Sequence, residues 1–372
     1  MRIVVLRSNP VRPDSRVEKE VYSLSKAGHE VSILCWDRDK DHSLSKEHLK
    51  VLDVDVPIFR QGYSAGFGLG FKSLFPFVKF QMSIAKWLII HRHEYDAIHA
   101  CDFDTAFTAS KINIFLNKKL IFDIFDFLYD KPENIFQRII KHCQYTIINK
   151  SSATVICTED RRRQIKGSKP KVLSVVHNTP MNNMVIERNE ESNTSDKVTV
   201  CYVGILQDFR LLLEIADYFT KHRNIEWHVG GFGKYEDYFI GLSRKYSNIV
   251  FHGRIPYKET LELEQSCDIM LAIYDPSIDN HVYAAPNKFY ESLMLGKPVI
   301  MVKGTGMSDV VVEKDIGVLI EYTEEGFSEG IDTLISRKQD WSNISERMRQ
   351  LYRDEYNWDI MDQRLVSLYK QI

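Results

Sequence analysis

Long apolar stretches are absent from this sequence of 372 residues, since no run of about 18 uncharged apolar residues occurs. A membrane-spanning helix is therefore not expected. The N-terminus enters an apolar strand pattern at once, without a basic segment and cleavage site, so no secretion signal is expected. CxxC pairs are also absent, and the six cysteines stand singly. Because disulfide scaffolds and zinc sites need clustered cysteines, we expect reduced thiols in the core of a cytoplasmic protein.

A strong net charge is absent too, but the near-neutral total of -2 hides an asymmetry. Residues 1–190 carry 29 basic and 22 acidic side chains, whereas the remaining residues carry 20 and 29. A basic first half favours an anionic surface or substrate as partner, and a solvated basic face is the alternative. The hydrophobic fraction of 44% with 27% charged residues is typical of a globular protein.

Short apolar runs alternate with helical patterns along the chain, which predicts parallel sheets built from βαβ units. In the first half, strands are expected at 3–6, 31–36, 97–99, 120–122, 154–157 and 172–176. A polar segment at 181–196 interrupts the alternation and reads as a linker. The alternation then restarts, with strands expected at 198–203, 226–229, 249–251, 269–273, 298–302 and 317–320. Two α/β domains in series follow from this pattern.

The segment at 285–300 carries the clearest chemical pattern. Pro286 suits the first turn of a helix, and Gly296 can end that helix before a strand. Lys288 and Glu291 then lie near the positive end of the helix. There a lysine can contact phosphate, and a carboxylate can accept hydrogen bonds from ribose hydroxyls. The alternative is a surface ion pair at spacing i, i+3.

A second pattern is a glycine at the end of an expected strand, Gly204, with Arg210 six residues later. Glycine at this place allows a diphosphate to approach the backbone, and arginine can form a bidentate clamp on it. No GxGxxG pattern follows the first strand. A dinucleotide-dependent dehydrogenase is therefore disfavoured.

Together these segments resemble the PxKxxE…GxPVI signature of the retaining glycosyltransferases with a GT-B fold, family 4, also called glycosyl transferases group 1. The resemblance implies two Rossmann-like α/β domains facing a central cleft, and it assigns the donor ribose to Glu291. The family has another glutamate eight positions earlier, where this chain has Tyr283. Residues 229–233 and 248–257 are similar to the family's GxG turn and base-contacting strand, which adds Gly231 and Arg254 to the expected donor-binding residues.

The domain limits follow the same resemblance. Residues 1–180 are expected to form an acceptor domain, and residues 197–356 a nucleotide-sugar donor domain. The final helix, at about 357–372, is expected to pack back on the first domain, as in the family.

The first half resembles the same family at 14–31, 95–102 and 120–126. The resemblance makes His99 and Asp126 the candidate catalytic residues, although the family has a histidine where this chain has Phe125. Arg16 and Asp102 are candidates for contact with the acceptor or with phosphate. Two alternatives stay open: Arg16 paired with Glu20, and a buried His99 satisfied by the backbone.

Residues 68–93 form a densely apolar helix candidate in which Lys72, Lys79 and Lys86 recur every seven residues. Basic residues along an aromatic-rich helix favour peripheral contact with an anionic membrane, here its inner face. The alternative is a core helix that presents its lysines to water.

The resulting expectation is a metal-independent hexosyltransferase-like enzyme that needs no cofactor and binds no nucleic acid. It would use a UDP- or GDP-sugar and a saccharide or lipid-linked acceptor, in polysaccharide or glycolipid synthesis. Asp102 and Asp104 supply the letters of a DxD motif, but they lie in the acceptor half. Two rivals remain: a nucleotide-sugar 2-epimerase, and a catalytically silent binding subunit suggested by Tyr283 and Phe125.

Overall fold

The computed structural model describes residues 1–65, 74–181 and 197–372, so most of the predicted linker lies outside the described residues. The chain divides into two compact units. The first comprises Met1–His177 together with Met361–Ile372, and the second comprises Asn178–Ile360.

The first unit is built on an eight-stranded sheet with the order β3-β4-β2-β1-β5-β6-β7-β8. The strands are β1 (Arg2–Arg7), β2 (Glu30–Asp37), β3 (His42–Val51), β4 (Val54–Gly62), β5 (Ala97–Cys101), β6 (Lys119–Ile124), β7 (Ala153–Ile156) and β8 (Leu173–Val175). All neighbours pair in parallel except β3 and β4. Every apolar run that the sequence predicts to be a strand in this half forms a strand in the structure.

Strands β3 and β4 are not predicted from the apolar runs, because neither contains one. Both alternate polar and apolar residues, and β3 is mostly exposed at the edge of the sheet. They pair as an antiparallel hairpin across Leu52 and Asp53. Period-two alternation on both sides of a short turn is the signal that identifies them.

The helices of the first unit are α1 (Ser15–Lys26), α2 (Leu74–Ile90), α3 (Asp102–Leu116), α4 (Ile135–Lys150) and α5 (Arg161–Gln164). Helix α1 begins where the side chain of Asp14 accepts a hydrogen bond from the Val17 backbone N–H, an N-cap of the usual kind. Its valine and leucine face is buried on the sheet.

The second unit contains a six-stranded sheet, parallel throughout, with the order β11-β10-β9-β12-β13-β14. Its strands are β9 (Val198–Ile205), β10 (Ile225–Phe232), β11 (Ile249–Gly253), β12 (Ile269–Ala272), β13 (Val299–Val302) and β14 (Gly317–Ile320). Its helices are α6 (Leu212–Lys221), α7 (Glu236–Lys245), α8 (Tyr257–Ser266), α9 (Asp279–Val282), α10 (Asn287–Leu295), α11 (Ser308–Glu313), α12 (Glu324–Ser336) and α13 (Trp341–Leu351). The strands predicted in this half are all present.

The last helix is α14 (Trp358–Lys370), and from Met361 onward it belongs to the first unit. Each unit has its own buried core of aliphatic and aromatic side chains. All six cysteines are free, and five are buried. None of the described helices is both long enough and apolar enough to cross a membrane.

Candidate functional site

In each sheet the chain crosses at one point to the other side of its first strand. In the second unit the chain runs from β9 to β10 and β11, then returns to the other side of β9 with β12. In the first unit this crossing falls between β1 and β5. In open α/β sheets, ligands bind outside the carboxyl ends of the strands at such a crossing. Both groups of sequence-predicted residues lie at or beside these points.

Two glycines meet at the carboxyl end of β9. Gly204 pairs with Gly231 of β10, and a Cβ atom on Gly231 would lie 1.8 Å from the backbone oxygen of Gly204. Gly231 has φ +133°, a conformation that other residues rarely adopt. The close approach of these two strands therefore requires glycine at residue 231.

Lys288 lies against the same strand end. Its Nζ atom is 2.7 Å from the position that a Cβ on Gly204 would occupy, and 5.0 Å from the centre of the Tyr202 ring. Burial lowers the pKa of Lys288, but the neighbouring Tyr274, other phenols and carboxylates outweigh it and raise the pKa. A positive charge is thus held beside an open stretch of backbone.

Arg210 contributes a second cation to this neighbourhood. Its guanidinium carbon lies 4.3 Å from the centre of the Tyr274 ring, and Nη1 lies 3.2 Å from Nε2 of His281. Nη1 also donates to the Phe209 carbonyl oxygen at 2.9 Å. Burial raises the pKa of Tyr202 against the opposing influence of Lys288 and Arg210, so both cations lie near the same phenol.

Glu291 follows Lys288 by one turn of α10, which begins after Pro286 and ends at Gly296 in a left-handed conformation, as the sequence predicts. Only 4% of Glu291 is exposed, so the alternative of a surface ion pair does not describe it. Its carboxylate interacts with the hydroxyl of Tyr257. The buried Glu264 is close by, and burial together with Glu291 raises the pKa of Glu264 well above its usual value.

Arg254 is placed differently from the other expected donor residues. It is exposed after β11, with its guanidinium 4.6 Å from the centre of the Phe232 ring. Strand β10 separates β11 from β9, so Arg254 lies about 10 Å across the sheet from Gly204 by strand spacing. The structure therefore brings Gly204, Gly231, Lys288 and Glu291 together, whereas Arg254 lies farther out along the sheet.

In the first unit, a cluster of buried polar side chains surrounds His99 on β5. Its Nε2 lies 3.2 Å from Asp123 Oδ2, and its Nδ1 lies 2.7 Å from the Tyr369 hydroxyl on α14. A carboxylate can only accept, so Nε2 donates to Asp123; in the neutral tautomer that carries this proton, Nδ1 accepts from Tyr369. Arg16 donates to Asp123 Oδ1 at 2.9 Å, and its Nε lies 3.1 Å from Glu20 Oε1.

The two carboxyl groups of this cluster differ in their protonation. Burial raises the pKa of Asp123, but Arg16 and then His99 outweigh it and bring the value down to about 2. Burial and the Asp123 charge raise the pKa of Glu20 well above its usual value. The surroundings therefore favour the protonated form of Glu20 and the ionised form of Asp123.

These positions correct two expectations. His99 is completely buried and both ring nitrogens are engaged by side chains, so a catalytic contact with substrate does not agree with its place. The alternative expectation was a buried His99 whose partners are backbone groups. His99 is buried, but its partners are the side chains of Asp123 and Tyr369. Arg16 is 4% exposed and pairs with Glu20 and Asp123, and its Nη1 donates to the Val176 carbonyl oxygen at 2.8 Å. Its charge is used inside the unit, which argues against a role in binding phosphate.

Asp102 and Asp126 are linked through the loop after β6. One carboxylate oxygen of Asp102 accepts hydrogen bonds from the backbone N–H groups of Phe125 and Asp126, both at 3.0 Å. The other oxygen accepts from Arg7 at 2.5 Å. The guanidinium groups of Arg7 and Arg16 lie 4.3 and 4.5 Å from the Phe125 ring centre. Asp102 thus holds the loop after β6 in place through these two backbone hydrogen bonds.

Asp126 itself presents its side chain to solvent, with 63% of it exposed. One carboxylate oxygen lies 3.3 Å from Nη2 of the buried Arg161. It is the candidate of the first unit whose carboxylate remains accessible to a hydroxyl group of a ligand.

Among the described residues, one group could offer a metal ion four ligand atoms within 4.8 Å of one another: Glu20, His99, Cys101 and Asp123. The guanidinium of Arg16 already contacts both carboxyl groups of this set. Its positive charge already neutralises negative charge at the place where a metal ion would bind. We therefore assign no metal to these residues.

Several residues at both places are not predicted from the sequence. Glu264 lies on the buried face of α8 with Thr260 and Leu261. A carboxylate at the apolar spacing i, i+3 of an amphipathic helix is the signal that would have identified it. The contact between Tyr369 and His99 joins residues 270 positions apart, and no local pattern indicates it.

Comparison with known proteins agrees with these features. Residues 185–351 match the family described as "Glycosyl transferases group 1". No curated protein sequence matches the chain significantly.

Solved structures match the whole chain in fold. Sucrose-phosphate synthase from Thermosynechococcus elongatus has a TM-score of 0.77 at 14% identity, covering 100% of this chain and 99% of that one. Anabaena HepE in complex with UDP-glucose has a TM-score of 0.72 at 13% identity, with 100% of both chains covered. An E. coli structure described as trehalose-6-phosphate bound with UDP-2-fluoro glucose has a TM-score of 0.72 at 11% identity, covering 100% and 99%.

The protein therefore has the GT-B fold, with two Rossmann-like α/β domains, and the fold class expected from the sequence is confirmed. The match to the glycosyl transferases group 1 family, at residues 185–351, falls within the second unit.

Proposed function

We propose that the protein is a retaining glycosyltransferase whose second unit binds a nucleotide-sugar by its diphosphate and ribose. The observation that supports this most directly is the ammonium of Lys288 beside Gly204, at the carboxyl end of β9 and at the crossing point of the sheet. Backbone without a side chain, a held cation and a helix N-terminus are together suited to a diphosphate.

The proposed contacts follow from the positions of the side chains. Lys288 and Arg210 bind the diphosphate, Glu291 accepts hydrogen bonds from the ribose hydroxyls, and Gly231 keeps the strand ends close together. Arg254, at the outer strand, contacts the base end of the nucleotide. Because Glu291 now interacts with Tyr257, binding of ribose exchanges one hydroxyl partner for others.

In the proposed reaction the bond between the anomeric carbon and the diphosphate oxygen breaks, and a bond from that carbon to an acceptor hydroxyl forms. The hydroxyl proton leaves with the nucleoside diphosphate or to solvent. Negative charge grows on the departing diphosphate, and Lys288 and Arg210 stabilise it without a bound cation. In the first unit, the exposed Asp126 orients a hydroxyl group of the acceptor.

The relatives in complex with UDP-glucose and UDP-2-fluoro glucose make a UDP-sugar the first donor to test, with GDP-sugars next. We propose a saccharide or lipid-linked acceptor in polysaccharide or glycolipid synthesis. The protein would work in the cytoplasm at the inner face of the membrane. The segment predicted at 68–93, of which 74–93 is described, supports this location through Lys79 and Lys86, which are exposed on α2.

Isothermal titration calorimetry with UDP and GDP tests the donor site. Lys288→Met and Glu291→Ala should each raise the Kd of the preferred nucleotide about tenfold or more, which corresponds to about 1.4 kcal/mol. Glu313→Ala removes an exposed glutamate from α11 and should leave the Kd unchanged. Equal affinity in all four proteins, or no binding of either nucleotide, contradicts the proposal.

Product analysis then separates transfer from its rivals. With a UDP-sugar and a membrane extract, a retaining enzyme yields a glycoside of unchanged anomeric configuration, which NMR detects. Conversion of the donor to its 2-epimer without acceptor indicates an isomerase. Tight nucleotide binding without any turnover indicates a binding subunit.

A further inference from the structure

Helices α2, α3 and α4 form one layer on one side of the sheet of the first unit, since α3 packs against both of the others. Each helix buries only part of its apolar surface. Helix α2 buries Phe80, Ile84, Trp87 and Leu88 against the sheet. The outward surface of this layer, here called the three-helix face, is the feature considered below.

The three-helix face exposes an unusual number of large apolar side chains. Twelve of the 23 exposed large hydrophobic residues among the described residues lie on these three helices. They are Leu74, Phe75, Val78, Met82, Ile89 and Ile90 on α2, Phe107, Ile114 and Phe115 on α3, and Ile135, Phe136 and Ile139 on α4. The most exposed of them are Phe115, with 85% of its surface accessible to solvent, and Ile135, with 71%. Such a concentration marks a contact surface rather than ordinary solvent exposure.

The charges on the three-helix face have one sign. Helices α2 and α4 contain no acidic residue, and α3 contains only Asp102 and Asp104, in its first turn. Exposed basic residues stand among the apolar ones: Lys79 and Lys86 on α2, Lys111 on α3 and Arg138 on α4. Among the described residues, none of these four forms an ion pair with an acidic side chain. A surface that is apolar and basic is complementary to an anionic lipid bilayer.

A cavity of about 420 Å³ opens beside α2, and Lys79 and Lys86 line it together with Met82 and Ile90. Trp87 also lines the cavity. Two ammonium groups beside apolar walls suit the phosphate and upper chain of a lipid. They suit a polar protein surface less well.

We propose that the three-helix face docks on the surface of an anionic membrane, with lipid phosphate held by Lys79 and Lys86 at the cavity beside α2. This extends the membrane contact of the proposed function from one helix to three, and its biological use rests on that function. The docking itself does not depend on nucleotide binding, which involves residues of the second unit.

Flotation of the full chain with lipid vesicles tests the proposal. One vesicle preparation contains phosphatidylcholine alone, and the other adds 30% phosphatidylglycerol (about a third of the lipid, to mimic an anionic leaflet). The protein should bind the anionic vesicles at least tenfold better, and raising the salt should weaken this binding. The triple change Lys79→Gln, Lys86→Gln and Lys111→Gln should weaken it about 100-fold, at about fivefold for each lysine.

A second variant tests the apolar contribution. Replacing Phe75, Met82 and Phe115 by serine should lower vesicle binding at least tenfold, because each side chain is exposed and can enter the interface. Since these side chains are not in the core, the folding of the chain should persist, which circular dichroism verifies.

Matched controls lie on the second unit. Lys245, Lys258 and Lys338 are exposed, and replacing all three by glutamine removes the same charge from another surface. Val312, 64% exposed on α11, gives the apolar control as Val312→Ser. Both control variants should bind vesicles like the wild type.

Three outcomes overturn the proposal: no vesicle binding, equal binding to neutral and anionic vesicles, or equal losses in test and control variants. A competition experiment with inorganic phosphate distinguishes membrane docking from a simple anion site. Millimolar phosphate should leave the chain on the vesicles, and release of the chain would indicate a simple anion site. Dimers in light scattering that the serine variant abolishes, without vesicle binding, would show that a second copy covers the face. UDP affinity should be unchanged in every variant, so failure of docking and failure of the donor site are separable.

Discussion

The ammonium of Lys288 lies 2.7 Å from the point where a Cβ atom on Gly204 would be, so the missing side chain at residue 204 provides the space for this cation. Strand β9 and helix α10 meet here, with Lys288 also beside the ring of Tyr202. The relationship makes the proposed diphosphate site sensitive to a single methyl group.

Gly204→Ala should therefore lower nucleotide affinity about tenfold, or about 1.4 kcal/mol, because the methyl group displaces the end of Lys288. The free energy of unfolding should change by less than about 1 kcal/mol, since only a flexible side chain must move. Titration calorimetry and thermal unfolding measure the two effects. Gly241→Ala, on α7 with open space around it, is the control and should stabilise by about 0.5–1 kcal/mol without affecting affinity.

Gly231→Ala should behave in the opposite way. A Cβ on Gly231 would lie 1.8 Å from a backbone oxygen, and the φ of +133° is unfavourable for alanine. Neither conflict is relieved by moving a side chain, so we expect a loss of about 3 kcal/mol or more in the free energy of unfolding. Calorimetry should show a large fall in Tm, and a Tm within two degrees of the wild type (roughly 1 kcal/mol for a chain of this size) would contradict this prediction.

Glu20→Gln should change the pH dependence of stability. The pKa of Glu20 is raised in the folded protein, so unfolding releases a proton at any pH between the unfolded and folded values. The wild type thus loses stability as pH rises from about 4.5, by about 1.4 kcal/mol per pH unit, until the folded pKa is passed. Glutamine imitates the protonated acid and removes this slope.

The difference in Tm between Glu20→Gln and the wild type should accordingly move in favour of the variant from pH 5 to pH 8. Glu30→Gln alters an exposed glutamate of the same unit and should show a constant difference. A constant difference for Glu20→Gln as well would mean that Glu20 is ionised in the folded protein.

Asp102→Ala should destabilise the first unit by about 2–4 kcal/mol. It leaves two backbone N–H groups without an acceptor and removes one of the two carboxylate partners of Arg7. Asp102→Asn keeps an acceptor oxygen and tolerates the left-handed φ of 66°, so it should cost less than half as much. Urea unfolding compares the two, and equal losses would show that the loop contacts contribute nothing.

Much of the fold could be predicted from the sequence, because the apolar runs of parallel strands are local features. Every predicted strand is present, and α10 has the Pro286 start and Gly296 end that the sequence indicates. The hairpin β3–β4 was not predicted, because an exposed edge strand such as β3 has no apolar run. Lys288 and Glu291 could be singled out because one helix turn joins them.

The fate of the charges in the first unit could not be predicted in the same way. Arginine and histidine often bind substrates, but in this structure Arg16 and His99 both bind the buried Asp123 inside the first unit. Their partners, Asp123 and Tyr369, come from distant parts of the chain. A sequence pattern gives the residue type, whereas burial and partners decide whether its charge is available to a ligand.

The sequence by itself thus determined the two α/β units and the spacing of Lys288 and Glu291, since periodicity and helix ends are set by neighbouring residues. Only the tertiary structure decided that Gly204 faces Lys288, that Glu20 is buried beside Asp123, and that α2, α3 and α4 form one apolar and basic face. These depend on which elements pack together, and packing joins residues that the chain keeps far apart.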